Sequence, residues 1–550
     1  MIDFPGRSSQ SGRRCGASIA SKCAPAAIFA AAAIVFLLTA PTSGDFWWFD
    51  APSHAMNGAF IHDLVAATPF GNPMGWAVKY YLQYPAISIG LYPPLFPAAE
   101  ALIFALLGVS HFAAQATVSI FVALLALAVY QIARMRLSPT AATGAALLLL
   151  GLPGIAFWGR QVMLEVPAMC FAAWSLYFLV RFIERDRAPM LYASVLALVC
   201  ALYTKQTFAF LAPAFVLALV WTRSWRVALR RELWIAFLGF VILLLPLAVM
   251  TLKFGMMNAS LASGVDATAP SRFSLESLTW YAADMPNAAG WLVPVLAIIT
   301  LVFWGASQDS RREPLVSALL AWFLVGYLFF TAIALKDGRY TIHLLVPLGI
   351  MAVLAVHKIM PPRWSVATAL VLGAGLFLFT FATQTVPRVG GFRDAVDIVA
   401  ARAPRDSTVM FYGQRSASFV FDLRAQGTRP DLRVLRAEKL LVNYRQGRTG
   451  GVRDLRVASA AIEAIFPRYR IGYAVYDPEF WNDLPSIQAL NKVLSGPAFT
   501  ALPSITVQAN VPHNDRELRI VRYDGALPER AEPLSMDMPL IAGQFSESGE

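Results

Sequence analysis

The stretch PAAIFAAAAIVFLLTAPTSGDFWWFDAPSH, residues 25–54, decides the fold. Residues 25–41 carry no charge and follow Arg7, Arg13, Arg14 and Lys22. A basic flank ahead of an apolar run marks a membrane anchor that starts on the cytoplasmic side. The alternative is a cleaved signal peptide ending near Ala40, but many apolar runs follow, and an uncleaved anchor is the simpler account. Past the anchor the chain turns aromatic and acidic at Phe46, Trp47, Trp48, Phe49 and Asp50.

Working outward, 57% of the 550 residues are hydrophobic and only 14% charged, with a mean hydropathy of +0.56. An ordinary soluble protein carries about a quarter charged residues, so that class is excluded. Residues 1–384 hold 24 Lys/Arg and 15 Asp/Glu, whereas the much shorter 385–550 holds 21 and 19. A charge-poor membrane domain is therefore followed by a small water-exposed one. The net charge of +11 does not point to nucleic acid, because the basic residues of the first domain sit in short loops between apolar runs. The four cysteines show no metal-ligand spacing, and none lies in the C-terminal region, which therefore has no disulfide.

Charge bias sets the topology. Residues 91–108 look apolar but contain Pro93, Pro94, Pro97 and Glu100 and fall short of the ~20 residues a crossing needs. If they do not cross, 17 Lys/Arg of the membrane domain face the cytoplasm and 7 face out; if they cross, the bias reverses. The expectation is a polytopic α-helical membrane protein of eleven spans. These lie at 25–41, 112–133, 141–157, 162–182, 189–203, 207–222, 233–252, 289–305, 315–335, 341–358 and 364–384. The first outer loop, residues 42–111, is rich in Trp and Tyr and reads as interfacial helices in the headgroup layer. Residues 385–550 read as an external α/β domain, with helices at 392–403 and 454–466 and strands at 407–412, 471–477 and 517–523. The last twenty or so residues are expected to fray, and no internal repeat is present.

The polar clusters at the membrane boundary then all fall on the outer side: Asp50 to His54, Arg160 to Glu165, Lys205, and Lys336 to Tyr340. Ionisable groups there are costly unless paired or working, so the pattern describes an outer-face site and not a pore. Asp50 in an aromatic, partly desolvated setting suits a general base; as a helix N-cap it would have a structural role, and one residue can do both. His54 lies one turn on and could meet a metal, a phosphate or lipid headgroups. Tyr92, ahead of Pro93 and Pro94, is placed to line the site. Glu165 could share a divalent cation with Asp50, orient an acceptor, or pair with Arg160. Lys205, Lys336 and Arg339 are outer-side cations that call for a partner, naturally a lipid-linked phosphate; for Lys336 the alternative is snorkelling to headgroups.

Together these residues resemble the C-type membrane glycosyltransferases of the protein O-mannosyltransferase and aminoarabinose transferase group, over residues 25 to about 384. Asp50 after the first span, Pro93-Pro94-Leu95 in the outer loop, Arg160 with Glu165 and Pro167, and Arg339-Tyr340 before a late span carry the resemblance. Many members have Asp-Glu where this chain has Asp50-Ala51, and Asp where it has Glu165. The resemblance implies an inverting transfer of a sugar from a polyprenyl-phosphate donor to a lipid, glycan or protein acceptor outside the membrane. Asp50 would act as base, and Arg339, with Lys205 or Arg160, would stabilise the departing phosphate. A divalent metal cation at Asp50 and Glu165 is the one cofactor it suggests. The expected location is a bacterial inner membrane, with the N-terminus cytoplasmic and the C-terminal domain periplasmic. A transporter or flippase of lipid-linked sugars is the rival; it predicts polar residues at mid-membrane and Gly/Pro-broken helices in two related halves, whereas the spans hold few ionisable residues and no repeat is present.

Overall fold

The computed structural model describes residues 19–88, 90–223, 225–254, 273–306, 313–444, 452–538 and 543–546. Arg7, Arg13, Arg14, Arg311 and Arg312, which contribute to the expected charge bias, lie outside the described residues, as does Cys15.

Among the described residues, seven helices are long and apolar enough to cross a membrane: His111–Ala133, Glu165–Arg185, Gln206–Arg223, Arg231–Lys253, Pro314–Ala332, Gly338–Ile359 and Pro362–Thr383. The pair Leu275–Ala289 and Leu292–Ala306, bent by 116°, would make an eighth. Cys23–Thr39, Pro139–Gly151 and Ala188–Thr204 are shorter apolar helices within or overlapping segments the sequence reads as spans, and Leu95–Leu107 is the short one it reads as not crossing. The expected span at 141–157 is broken, because Pro153 ends Pro139–Gly151 and opens a separate helix, Pro153–Trp158.

Local chemistry starts these helices where they start. The Ser110, Ser138 and Ser274 hydroxyls and the Glu313 carboxylate each accept a first-turn backbone N–H, at 2.6–3.3 Å. Between Pro139–Gly151 and Pro362–Thr383 the backbones touch: a Cβ on Gly373 would lie 2.1 Å from the Gly144 carbonyl oxygen. Only glycine permits that approach, and such close crossings hold helices together where lipid offers no hydrophobic drive. Basic loops meet acidic partners at one end of the bundle, where Arg136 pairs with Glu184 and Glu313, and Arg230 with Asp186.

At the opposite end sits the strand-bearing C-terminal region. Its main sheet runs Arg433–Arg436, Thr408–Tyr412, Ile471–Tyr476, Glu517–Tyr523, Phe499–Ala501, with the first three strands parallel and the last two antiparallel to their neighbours. Alternate residues of Thr408–Tyr412 enter two cores: Val409 and Phe411 pack toward the membrane domain, Met410 and Tyr412 toward Ile462, Phe466 and Ile487. Two expectations shift. The helix foreseen from Asp454 begins at Ser459, because residues 452–454 pair as a strand with 442–444 and the Asp454 carboxylate accepts from Ser486 and Arg456. Within the last residues, expected to fray, the described Ser535–Met538 and Gly543–Ser546 pair as antiparallel strands, while 539–542 and 547–550 lie outside the described residues.

The first outer loop forms Ala51–Ala67, Pro73–Gln83 and Leu95–Leu107. Its tip exposes Phe70 and Met74, but Tyr80, Tyr81 and Tyr84 do not face headgroups. They are buried against the C-terminal region: Tyr80 donates to Asp63, which Arg424 also clamps, and Lys439 donates to the Tyr81 hydroxyl at 2.7 Å. Gln83 donates to the carbonyls of Pro430 and Leu432. The aromatic density read as a membrane belt is thus largely a docking surface, since a Tyr ring with a polar tip serves either boundary equally well.

Asp45, just past the first helix, is buried against Asp422, and the two carboxyls hydrogen-bond to each other while Asp45 accepts from the Phe392 N–H at 2.9 Å. Burial raises both carboxyls above the ordinary carboxylate range, Asp422 well above it. A raised folded-state pKa gives stability that is complete below the unfolded value, about pH 4, and is lost as pH climbs through the folded one. Asp422→Asn keeps a neutral donor at that contact. It is expected to raise the thermal transition above wild type at pH 8 and to converge with it at pH 4. Equal destabilisation at both pH values would remove the shared proton.

Candidate active site

Four helix ends converge on the side of the bundle that carries the C-terminal region. Asp50 is the N-cap residue of Ala51–Ala67, yet its side chain makes no cap hydrogen bond. It turns instead to Arg339, whose Nη1 donates to Asp50 Oδ2 at 2.9 Å. The ion pair, and not the cap, is therefore its contact. With 37% of its side chain exposed, Asp50 lacks the desolvated setting expected from its aromatic neighbours. Those rings pack elsewhere: Trp48 on Trp158 at 4.9 Å, Phe46 on His111 at 3.9 Å.

Arg339 is held from behind. Asp337 accepts from the Arg339 backbone N–H at 2.8 Å and from its Nε at 2.9 Å, fixing main chain and guanidinium with one carboxylate. Trp158 lies below, 6.0 Å from ring centroid to guanidinium carbon. Nη2 has no partner among the described residues and is available to a ligand.

Glu165 opens Glu165–Arg185, where a carboxylate complements the helix dipole, and it is 1% exposed. Lys205, just past Ala188–Thr204, donates to its Oε1. Oε2 is buried with no hydrogen-bond partner among the described residues. The Lys205 ammonium also lies 5.8 Å over the Tyr340 ring. His54 and Tyr92 complete the cluster, their rings 4.5 Å apart edge to face. Burial, the larger effect, lowers His54 to about 4; Asp50 and Glu165 oppose this, while Lys205 and Arg339 reinforce it. The imidazole is thus neutral at neutral pH and brings no charge to a phosphate.

Asp50, His54, Tyr92, Glu165, Lys205, Arg339 and Tyr340 are therefore brought together. Two residues expected at the site stand apart. Arg160 donates to the Ala156 carbonyl and to Gln384 and lies 4.5 Å from the Phe381 ring, tying its turn to the end of Pro362–Thr383. Lys336 donates to the carbonyls of Phe330, Thr331 and Ile333, closing the end of Pro314–Ala332. Helix-end carbonyls take all three N–H groups of Lys336, and the Arg160 guanidinium turns to Ala156 and Gln384 and not to the cluster's acids.

The donor set does not fit a resident divalent cation. Asp50 and Glu165 are each engaged by a side-chain cation, and among the described residues no three His, Cys, Asp or Glu side chains gather as a metal group. Two contributors escaped the sequence reading. Asp337 was legible as the residue two before Arg339, a spacing at which a carboxylate caps a following N–H. His343, one turn after Arg339, is fully buried between Phe330 and Phe208, its ring 6.5 Å from that of Tyr340, with neither ring nitrogen hydrogen-bonded among the described residues. Only the fold reveals that proximity.

Residues 92–251 match the family described as dolichyl-phosphate-mannose-protein mannosyltransferase. No curated protein matches the chain. Among solved structures, ArnT from Cupriavidus metallidurans bound to undecaprenyl phosphate is similar at a TM-score of 0.63 and 14% identity, covering 93% of this chain and 100% of that one. The apo state of the same protein gives 0.62 and 14%, covering 92% and 99%. The Archaeoglobus fulgidus oligosaccharyltransferase in its apo form is similar at 0.51 and 11%, covering 84% of this chain and 70% of that one. The chain thus has the C-type membrane glycosyltransferase fold, and over residues 92–251 it matches the family of dolichyl-phosphate-mannose-protein mannosyltransferases.

Proposed function

We propose that the protein moves a sugar, with inversion, from a polyprenyl-phosphate donor to an acceptor at the outer face of a bacterial inner membrane. The observation that carries this reading is that the ion pair of a half-exposed carboxylate, Asp50, with Arg339 stands in one cluster with the Lys205–Glu165 pair, at helix ends beneath the C-terminal region. The undecaprenyl phosphate bound to ArnT supports a polyprenyl phosphate as the lipid. Nucleotide sugars are confined to the cytoplasm, so a donor used outside must arrive on a lipid.

In this scheme the donor phosphate meets Arg339 Nη2 and the Lys205 ammonium. The acceptor hydroxyl or amine attacks the anomeric carbon on the face opposite the phosphate and gives its proton to Asp50. As the carbon–oxygen bond to phosphate breaks, one further negative charge develops on the polyprenyl phosphate, and Arg339 and Lys205 neutralise it. The outer loop and the C-terminal region above it exclude water, whose attack would waste the donor.

The test separates transfer from transport. A strain lacking the gene is expected to accumulate one polyprenyl-phosphate sugar and to lose one surface modification, both read by mass spectrometry. Purified protein in detergent, given that lipid and extracts of the unmodified surface material, should form the glycosylated product. A transporter needs a sealed compartment and would yield no product in micelles, so failure there with rescue of flux in proteoliposomes would overturn the enzyme.

A further inference from the structure

We propose that a cavity between the first outer loop and the C-terminal region is the acceptor subsite, and that it takes an uncharged sugar ring. The proposal rests on the transferase reading and specifies its acceptor. The cavity, of about 160 Å³, is lined by Trp48, Phe49 and Ser53 from the loop, by Gln414 from the turn after Thr408–Tyr412, and by Ser416 and Ser418 from the start of helix Ser416–Gln426. It flanks the candidate base: Phe49 and Pro52 stand on either side of Asp50 in the chain, and Trp48 stacks on the same Trp158 that lies beside Arg339. The volume suits one sugar ring.

Its chemistry is that of a carbohydrate site. The side chains of Ser53, Gln414, Ser416 and Ser418 have no hydrogen-bond partner among the described residues. Ser416 and Ser418 are 4% and 1% exposed, and their hydroxyls can donate to or accept from a molecule seated in the cavity they line. Phe49 is 47% exposed, an aromatic surface of the kind that accepts the C–H face of a sugar. Two arginines also border the cavity, but neither offers free charge. Arg415 is bound to Asp515 at 2.7 Å and to the Trp47 carbonyl; Arg436 is bound to Glu438 at 2.6 Å and to the Pro85 carbonyl at 3.1 Å. An anionic acceptor would meet guanidinium charges already countered by Asp515 and Glu438, whereas a polyhydroxylated neutral ring matches the hydroxyls and amide left open.

Saturation-transfer NMR on the purified full chain tests this with methyl glucoside, methyl galactoside and methyl mannoside as neutral probes and mannose 6-phosphate as the anionic one. At least one neutral glycoside is expected to bind wild type, with the phosphorylated sugar no tighter. Phe49→Ala and Gln414→Ala are each expected to weaken it by about tenfold, the loss of one good contact, while Phe49→Trp retains binding. In the transfer assay the same variants raise the acceptor KM and leave the donor KM unchanged. Preferential binding of mannose 6-phosphate, no neutral glycoside bound at all, or an acceptor KM indifferent to both alanine variants would each overturn the subsite. If a neutral glycoside binds through Phe49 but no transfer is catalysed, the transferase reading fails and the sugar site stands.

Discussion

Asp50→Asn is expected to reduce turnover by about 10²–10⁴-fold, the usual contribution of a positioned base, while the protein stays folded in the membrane. The substitution is nearly isosteric and breaks no core contact, since the Asp50 side chain makes no helix cap and meets only Arg339. Removing the carboxylate also releases the Arg339 Nη1 for the donor phosphate. The donor KM should therefore stay level or fall, so that the loss appears in kcat and not in binding. If Asp50 were merely an anchor for Arg339, the asparagine variant would lose donor affinity instead. An unchanged kcat would end its role as base.

Arg415→Met is expected to destabilise the C-terminal region by about 3–5 kcal/mol, the cost of orphaning a buried charge, and to weaken its hold on the first outer loop. Arg415 and Asp515 are 5% and 3% exposed, and Asp515 would be left with no counterion at that site. Arg415 also donates to the Trp47 carbonyl and lies 4.8 Å from the Trp47 ring and 4.9 Å from Phe49. It thus joins a soluble-domain turn to the segment that leads into Asp50. Limited proteolysis should detect faster cleavage within residues 385–550, with a lower thermal transition. Adding Asp515→Leu should recover part of the loss, because an apolar pair can replace a buried ion pair at little net cost. A double variant no better than Arg415→Met would place the energy in the Trp47 and Phe49 contacts instead.

Both variants probe places where sequence reading and structure part company. Asp50, Glu165, Lys205 and Arg339 were legible because charges at the ends of apolar runs are costly, and sidedness alone puts them on one face. Their pairing was not legible. Glu165 lies five residues from Arg160 in the chain but takes Lys205, forty residues away, while Arg160 is drawn to Gln384 and Phe381. Lys336 and Arg339 are three residues apart, yet one closes a helix end and the other faces Asp50.

By itself, then, the sequence determined what period and polarity can encode: a helical membrane domain, a small α/β tail, and the residues that must gather at one boundary of the bilayer. Hydrophobic runs and loop charges are properties of short segments, and they survive whatever those segments pack against. Only the tertiary structure decided which charge meets which, that Tyr80, Tyr81 and Tyr84 face the C-terminal region and not lipid, and that Asp45 and Asp422 share one buried contact. Those outcomes depend on helix ends separated by tens to hundreds of residues, and on which hydrogen-bond acceptor each donor reaches first.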